Sequence, residues 1–193
     1  MSLERVGIMD GAGSGYSARV NSDNQLATRS VLVSAIHDAC LRGDAYAWNA
    51  VSADIDATDC MLMVRNNSAT RWLVINRIYV WVDVATAIDI HISTNATAFS
   101  AGGAGAAVVG VNLNLTSAKI ADAGGYTDDA GVTQGTIITT LHTNETATDV
   151  HAIDFPTNDD IVLGTNGCIG VDDITEPEAF ECTILGYFID EPE

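Results

Sequence analysis

Two segments of the chain alternate strictly between apolar and polar residues, and this period of two limits the fold more than any other feature. The first, Thr86 to Thr94, places three isoleucines on one face and Asp89 and His91 on the other. The second, Val109 to Leu115, alternates Val and Leu with Gly and Asn. Such a period is typical of a β-strand with one buried face. We therefore predict two strands here, each with its apolar side in the core.

Further apolar runs, separated by turns rich in Gly, Asn, Asp and Thr, extend this pattern to about eight strands after residue 45. The run from Trp72 to Val82 is apolar on both faces and predicts a central strand. Asn166-Gly167 predicts a hairpin turn. The remaining candidate strands are Cys60–Arg65, Thr136–Thr143, Val150–Phe155, Asp160–Leu163, Cys168–Ile174 and Phe180–Asp190. The predicted fold class is all-β: an antiparallel β-sandwich or jelly roll.

The first 44 residues differ in character from the rest. They begin with a Gly-rich stretch and show no regular alternation of apolar and polar residues. We therefore predict an extended N-terminal arm over 1–44 and the sandwich over 45–193. Val33 to Leu41 predicts one short helix that ends at Gly43. Two segments, Asn95–Ala107 and Ser117–Gly131, are predicted as long loops, where binding sites often lie. No run approaches the ~20 apolar residues of a membrane helix, and residues 1–15 lack the pattern of a signal peptide, so we expect no membrane partner.

The charge of the chain restricts its partners. It has 26 acids and 8 bases, of which Lys119 is the only lysine, and a formal net charge of -18. Residues 1–42 are balanced, so the whole excess lies in 43–193. Such a surface repels phosphate, which disfavours nucleic acid. In molar salt the Debye length falls to ~3 Å and self-repulsion largely disappears. The composition is therefore typical of a protein adapted to high salt.

The chain has no enzyme signature. Its Gly-rich start lacks the Lys-Ser/Thr ending of a phosphate loop, and its four histidines include no pair on one strand for a metal. We predict no enzyme and no cofactor. The turn containing Asp54, Asp56 and Asp59 is the best candidate for a structural cation held by oxygen ligands; otherwise its acids form solvated surface. The cysteines form no Cys-x-x-Cys pair and are predicted to be free, buried thiols. They are Cys40, Cys60, Cys168 and Cys182.

Several short motifs resemble those of structural proteins of tailed viruses. They are Asp10-Gly-Ala-Gly-Ser-Gly-Tyr-Ser-Ala-Arg-Val-Asn-Ser-Asp-Asn-Gln-Leu26, Thr28-Arg-Ser-Val31, Gly43-Asp-Ala-Tyr-Ala-Trp48, Val64-Arg-Asn-Asn-Ser68 and Phe180-Glu-Cys-Thr-Ile-Leu-Gly-Tyr-Phe188. In that group a Gly-rich start leads through an Asn-containing turn to a β-sandwich. The resemblance implies a virion protein of the capsid decoration or fibre type. The near absence of lysine departs from the group and favours a halophilic archaeal host over a mesophilic bacterial one.

From this resemblance we expect a capsid decoration protein, assembled in the host cytoplasm and located on the outer capsid surface of the virion. Its partners would be the major capsid protein or other virion proteins, and virus architecture favours a homotrimer. The arm would dock on the shell or on a neighbouring subunit while the acidic sandwich projects outward. The residues predicted to make capsid or subunit contacts are Arg5, Tyr16, Arg19, Leu26, Arg29 and Val31. The same residues could instead pack within the chain.

The alternative is a turret, fibre or carbohydrate-binding module for host attachment. In that case the long loops would carry the function, and Tyr126, in a predicted Gly-Gly-Tyr loop, would be the exposed aromatic for stacking on a glycan. Trp48, Trp72 and Trp81 could also stack on sugars but are expected to fill the core. Four Asn-x-Ser/Thr sequons, at Asn66, Asn95, Asn114 and Asn144, would mark faces directed to the medium if they carry glycans.

Overall fold

The computed structural model describes residues 34–52, 60–84, 86–94, 106–127, 135–142, 150–154, 161–173 and 179–191. They form one short helix and two antiparallel β-sheets, which confirms the predicted all-β sandwich. The elements are α1 (Ala35–Arg42), β1 (Ala45–Ser52), β2 (Cys60–Asn66), β3 (Arg71–Val82), β4 (Ala87–Thr94), β5 (Ala106–Val108), β6 (Val111–Asn112), β7 (Ala123–Thr127), β8 (Thr136–His142), β9 (His151–Asp154), β10 (Ile161–Leu163), β11 (Gly167–Asp173) and β12 (Phe180–Asp190). No helix in these ranges is long and apolar enough to cross a membrane.

The strands divide between two sheets. The first has the order β10-β3-β12-β1-β6, with β9 also paired to β3. The second has the order β5-β7-β2-β11-β4-β8. Strand β3 has partners on both of its edges, as the apolar run on both faces predicts, and pairs with β12 along its whole length. The longest strands therefore lie inside the sheets. Strand β6, at the edge of the first sheet, has only two residues, and both pair with β1.

The core lies between the sheets and follows the alternation of the inner strands. Trp48 and Phe180 are fully buried members of the core from the first sheet, and Leu62, Ile90 and Val171 come from the second. Tyr46 packs edge-on to Phe188, with ring centroids 5.8 Å apart. Burying side chains of this size contributes about 1.5–3 kcal/mol each, so the inner faces of the two sheets stabilise the domain.

Helix α1 confirms the helix predicted from Val33 to Leu41. Ser34 caps its start by accepting a hydrogen bond from the His37 amide, and Gly43 ends it with a left-handed φ of 73°. A Cβ on Gly43 would lie 2.7 Å from the Cβ of Ser117, so this position also needs glycine for close packing. Ala39 of the helix packs against Ala45, Val74 and Tyr187, beside the ends of β1, β3 and β12.

Asn166-Gly167 forms the predicted turn but not the predicted hairpin. Asn166 adopts a left-handed φ of 65°, and the Gly167 amide donates to the Gly164 carbonyl. The strands on either side belong to different sheets, because β10 pairs with β3 while β11 pairs with β2 and β4. The turn therefore connects the two layers. A turn dipeptide fixes the local reversal, whereas strand partners depend on the rest of the sheet.

Candidate protein-docking surface

The segment 109–120 presents apolar side chains to solvent beside the end of α1. Leu115 is 94% exposed, Ile120 79% and Val109 73%. Val111 and Leu113 of the same segment and Leu41 in the last turn of α1 are exposed as well. We name these six residues the apolar ridge: Leu41, Val109, Val111, Leu113, Leu115 and Ile120. Grouped apolar exposure of this kind marks interaction sites on folded proteins.

This placement corrects the expectation that Val109 to Leu115 forms a strand with its apolar face in the core. Only Val111 and Asn112 are in a strand, and the asparagines face the protein while the apolar side chains face outward. The Asn112 side-chain amide donates to the carbonyls of Gly43 (2.9 Å) and Lys119 (3.1 Å). Asparagine suits this position because its amide and carbonyl can satisfy several backbone groups at once.

A second asparagine attaches the ridge to the helix. Asn114 donates from its side-chain nitrogen to the Leu41 carbonyl at 3.3 Å and accepts from both the amide and the hydroxyl of Thr116. The Leu113 amide donates to the Ala45 carbonyl at 2.9 Å. These bonds hold the ridge and the end of α1 together, so the ridge has a defined shape before any partner binds.

Three basic side chains converge on one carboxylate beside the ridge. The Asp44 carboxylate lies 2.9 Å from Lys119 Nζ, 3.3 Å from Arg71 Nη1 and 3.7 Å from Arg42 Nε. The Asp44 side chain is only 12% exposed, whereas those of Arg42 and Lys119 are half exposed. The Arg71 guanidinium lies over the Phe188 ring, 4.6 Å from its centroid. We name Arg42, Arg71, Lys119 and Asp44 the cation cluster.

The cation cluster adjoins the ridge in sequence and in space. Arg42 follows Leu41, and Lys119 precedes Ile120. The cluster holds three of the five bases in the described part of the chain. Of the other two, Arg65 bonds the side chains of Asn67 and Asn166, and Arg77 pairs with Asp154 on β9. Within the described residues of a chain of charge -18, this is the region where an acidic surface is repelled least.

Most of the site residues predicted from sequence lie outside the described residues. These are the arm residues Arg5, Tyr16, Arg19, Leu26, Arg29 and Val31 and the cation candidates Asp54, Asp56 and Asp59. Tyr126 is described, and its predicted loop is wrong: it lies half-buried in β7, opposite Met63 of β2. Trp48 is fully buried, as expected of a core residue, while Trp72 and Trp81 are half-buried.

Two of the sequon asparagines are described, and both serve structural roles. Asn66 is fully buried and donates from its side-chain nitrogen to the carbonyls of Arg71 and Leu163, each at 2.9 Å. Its side-chain oxygen accepts from the Ser68 amide. The Asn114 side chain is hydrogen-bonded to Leu41 and Thr116. The side-chain nitrogen that a glycan would modify is thus already bonded in both residues.

A buried polar group lies on the second sheet, where sequence predicted a polar outer face. Asp89 and His91 are each only 6% exposed. Asp89 accepts a hydrogen bond from the Thr140 hydroxyl on β8, and His91 Nε2 lies 3.9 Å from Asp172. Neither ring nitrogen of His91 has a hydrogen-bond partner in the described ranges. Within those ranges, no group of three His, Cys, Asp or Glu residues is arranged to hold a metal ion.

None of the four cysteines forms a disulfide bond, as expected. Cys60, Cys168 and Cys182 are fully buried, and Cys40 is half-buried in α1. Burial, reinforced by the nearby Cys60, raises the pKa of the Cys182 thiol far above its usual range. A buried protonated thiol behaves as a small apolar side chain and is a poor nucleophile. These cysteines therefore act as packing groups.

Searches with the chain find no match among protein-family models, curated proteins or solved structures.

Proposed function

We propose that the protein is a non-enzymatic virion structural protein, a capsid decoration protein that docks on the outer capsid surface and stabilises the shell in high salt. The observation that carries this proposal is the apolar ridge. Six exposed apolar side chains stand beside the cation cluster on a chain that is otherwise strongly acidic. Each such side chain contributes about 1.5–3 kcal/mol when a partner covers it fully.

The composition explains why an apolar ridge suits such a role. Long-range attraction between charges is largely screened in molar salt, where the Debye length is ~3 Å. Apolar contacts are not screened, and excluded salts strengthen them. A decoration protein in a salty medium would therefore dock through apolar groups and keep its acidic surface in solvent. Bound copies would stabilise the shell by mass action, because they bind the assembled shell better than its parts.

The motifs that resemble tailed-virus structural proteins support the virion setting, and the ridge supplies a docking surface within the sandwich. We propose that the ridge and the N-terminal arm both contact the shell. Under this proposal, the partner is the major capsid protein or a neighbouring virion protein, and the copies assemble as a homotrimer.

The test is co-sedimentation of the full chain with capsid shells that lack it, in molar salt. The ridge variant is the double substitution Leu115→Asp and Ile120→Asp. Its matched control is Val84→Asp with Val150→Asp, two exposed valines away from the ridge. Both variants add the same charge at exposed positions, so general repulsion affects them equally. We expect the wild type and the control to sediment with shells and the ridge variant to stay in solution.

Two results would overturn parts of this proposal. Sedimentation of the ridge variant at the wild-type level would show that the ridge is not the docking surface. Failure of the wild type to sediment would exclude the shell as partner, and glycan-array binding of the full chain would then favour the host-attachment role. Near-ultraviolet circular dichroism of every variant checks that the sandwich has kept its packing.

A further inference from the structure

We propose that the pocket at the cation cluster is a receptor for a carboxylate of the docking partner, an aspartate or glutamate side chain that enters beside the apolar ridge. This inference rests on the proposed function for the identity of the partner, but the pocket itself can be tested alone. It has a volume of about 500 Å³ and is lined by Arg42, Asp44, Arg71, Lys119, Phe188, Ile189 and Asp190.

The three bases keep donors that Asp44 does not use. A guanidinium has five N–H donors and an ammonium has three. Lys119 and Arg71 each place one nitrogen against Asp44 Oδ1, and Arg42 approaches Oδ2 with Nε while its Nη1 pairs with Asp38. The remaining donors of half-exposed Arg42 and Lys119 are free to meet an incoming group. Charged donors to a carboxylate form stronger hydrogen bonds than neutral ones.

The pocket is built so that its bases stay in place without a ligand. Asp44 is held by its backbone, because its amide donates to the Ala39 carbonyl at 2.8 Å and its carbonyl accepts from the Phe188 amide at 2.9 Å. Arg71 is held over the Phe188 ring. The resident Asp44 carboxylate keeps the cations close to one another. It also occupies part of the site that a partner carboxylate would otherwise fill.

The charges favour a single carboxylate over a polyanion. Three bases face two carboxylates in the lining, Asp44 and the exposed Asp190, so the lining carries one positive charge, which the ion pair of Arg42 with Asp38 partly offsets, on a chain of -18. A nucleic acid or other polyanion would meet the repulsion of the whole surface. One carboxylate on a protein that docks along the ridge meets the bases at contact distance, where salt screens least. The ridge then supplies apolar contacts on either side of it.

The experiment measures binding of a capped Gly-Asp-Gly peptide, which carries one carboxylate, to the full chain by backbone amide NMR shifts in 1 M NaCl, with capped Gly-Asn-Gly as the neutral control peptide. The informative variant is Asp44→Asn, which removes the resident charge and keeps an oxygen to accept from the bases. We expect Asp44→Asn to bind the acidic peptide about three- to tenfold more tightly. A purely structural salt-bridge cluster would give weaker binding or none in this variant.

Two more variants complete the test. Lys119→Gln should weaken peptide binding about threefold or more, while Arg77→Gln, which removes a half-buried base on β3 paired with Asp154, should leave it unchanged. Equal binding by the Lys119→Gln and Arg77→Gln variants would overturn the inference, as would equal binding of the two peptides. Shell co-sedimentation separates the two proposals. If shells are not bound but the variants rank as expected in peptide binding, the decoration role fails and the carboxylate site stands. If shells are bound equally by the Asp44→Asn, Lys119→Gln and Arg77→Gln variants, the decoration role stands and the carboxylate site fails.

Discussion

Strand β4 and the segment 109–115 share the same alternating pattern and have opposite structures. In β4, Ile88 and Ile90 are fully buried, and the polar residues that follow each of them, Asp89 and His91, are buried too. In 109–115, the apolar residues face solvent and the asparagines between them face the protein. The alternation identifies which side chains share a face in both cases. It does not determine which face is covered.

The difference follows from position in the sheet. Strand β4 lies between β11 and β8 and pairs with both along most of its length. Segment 109–115 pairs only two residues, at the edge of the first sheet. An edge strand has one side without a neighbour and usually avoids exposed apolar residues, because they invite association. Under the docking proposal, a partner covers the apolar residues retained at this edge.

The largest effect should come from the buried apolar side of β4. We expect Ile90→Ala to lower the free energy of unfolding by about 3 kcal/mol, because it leaves a cavity among fully buried neighbours. Ile92→Ala, in the same strand but 37% exposed, is the control and should lose less than half as much. Urea denaturation in molar salt measures both. Equal losses would mean that β4 is not packed as described.

A smaller effect is expected from the inward side of the ridge segment. Asn112→Ala removes the bonds to the Gly43 and Lys119 carbonyls and should cost about 1–3 kcal/mol, since the bond that its oxygen accepts from the Asn114 amide is lost with them. It should also weaken shell binding, because the ridge loses its support. Asn49→Ala is the control: within the described ranges, its exposed side chain on β1 bonds only the Thr183 hydroxyl. Full shell binding by Asn112→Ala would argue that the ridge does not need this anchor.

The polar side of β4 should respond more weakly still. Thr140→Val keeps the shape of the side chain and removes the hydroxyl that donates to the buried Asp89 carboxylate. We expect a loss of about 1–2 kcal/mol in unfolding free energy, towards the low end of the roughly 1.5–3 kcal/mol of a bond to a charged group, because Thr140 itself is exposed. Thr139→Val, its neighbour in β8, is the comparison. If both substitutions were neutral, the bond between Thr140 and Asp89 would contribute nothing to stability.

The fold was largely predictable because strand periodicity and turn residues are local signals. Strand β12 matches the predicted Phe180–Asp190, and the helix ends at the predicted glycine. Strands β5 and β7 were missed, since Ala-Ala-Val and the Gly-Gly of β7 have little β-propensity; β7 is recruited by pairing with β2, and β5 by pairing with β7. The predicted hairpin at Asn166 failed for a related reason: strand partners depend on tertiary contacts.

The candidate site was not predictable in the same way. Its cations come from α1, β3 and the 113–120 segment, and no sequence motif links Arg42, Arg71 and Lys119. One local signal was available for the ridge. Asn112 and Asn114 precede Thr116 and Ser117, and asparagine followed by hydroxyl residues favours side-chain turns over a regular strand. On this reasoning, the alternating segment 109–115 would have been predicted as a turn in which the asparagine side chains bond the backbone.

The smallest effect on stability should come from the outward side of the ridge, and it separates stability from function. Leu115→Ala removes a side chain that is 94% exposed and should change the free energy of unfolding by less than about 0.5 kcal/mol. Under the docking proposal the same substitution weakens shell binding, since Leu115 then becomes buried on the partner. Ile90→Ala should do the reverse, losing stability while its folded fraction binds shells normally. If Leu115→Ala instead destabilised the chain as much as Ile90→Ala, the leucine would be a core residue and the two alternating segments would be alike after all.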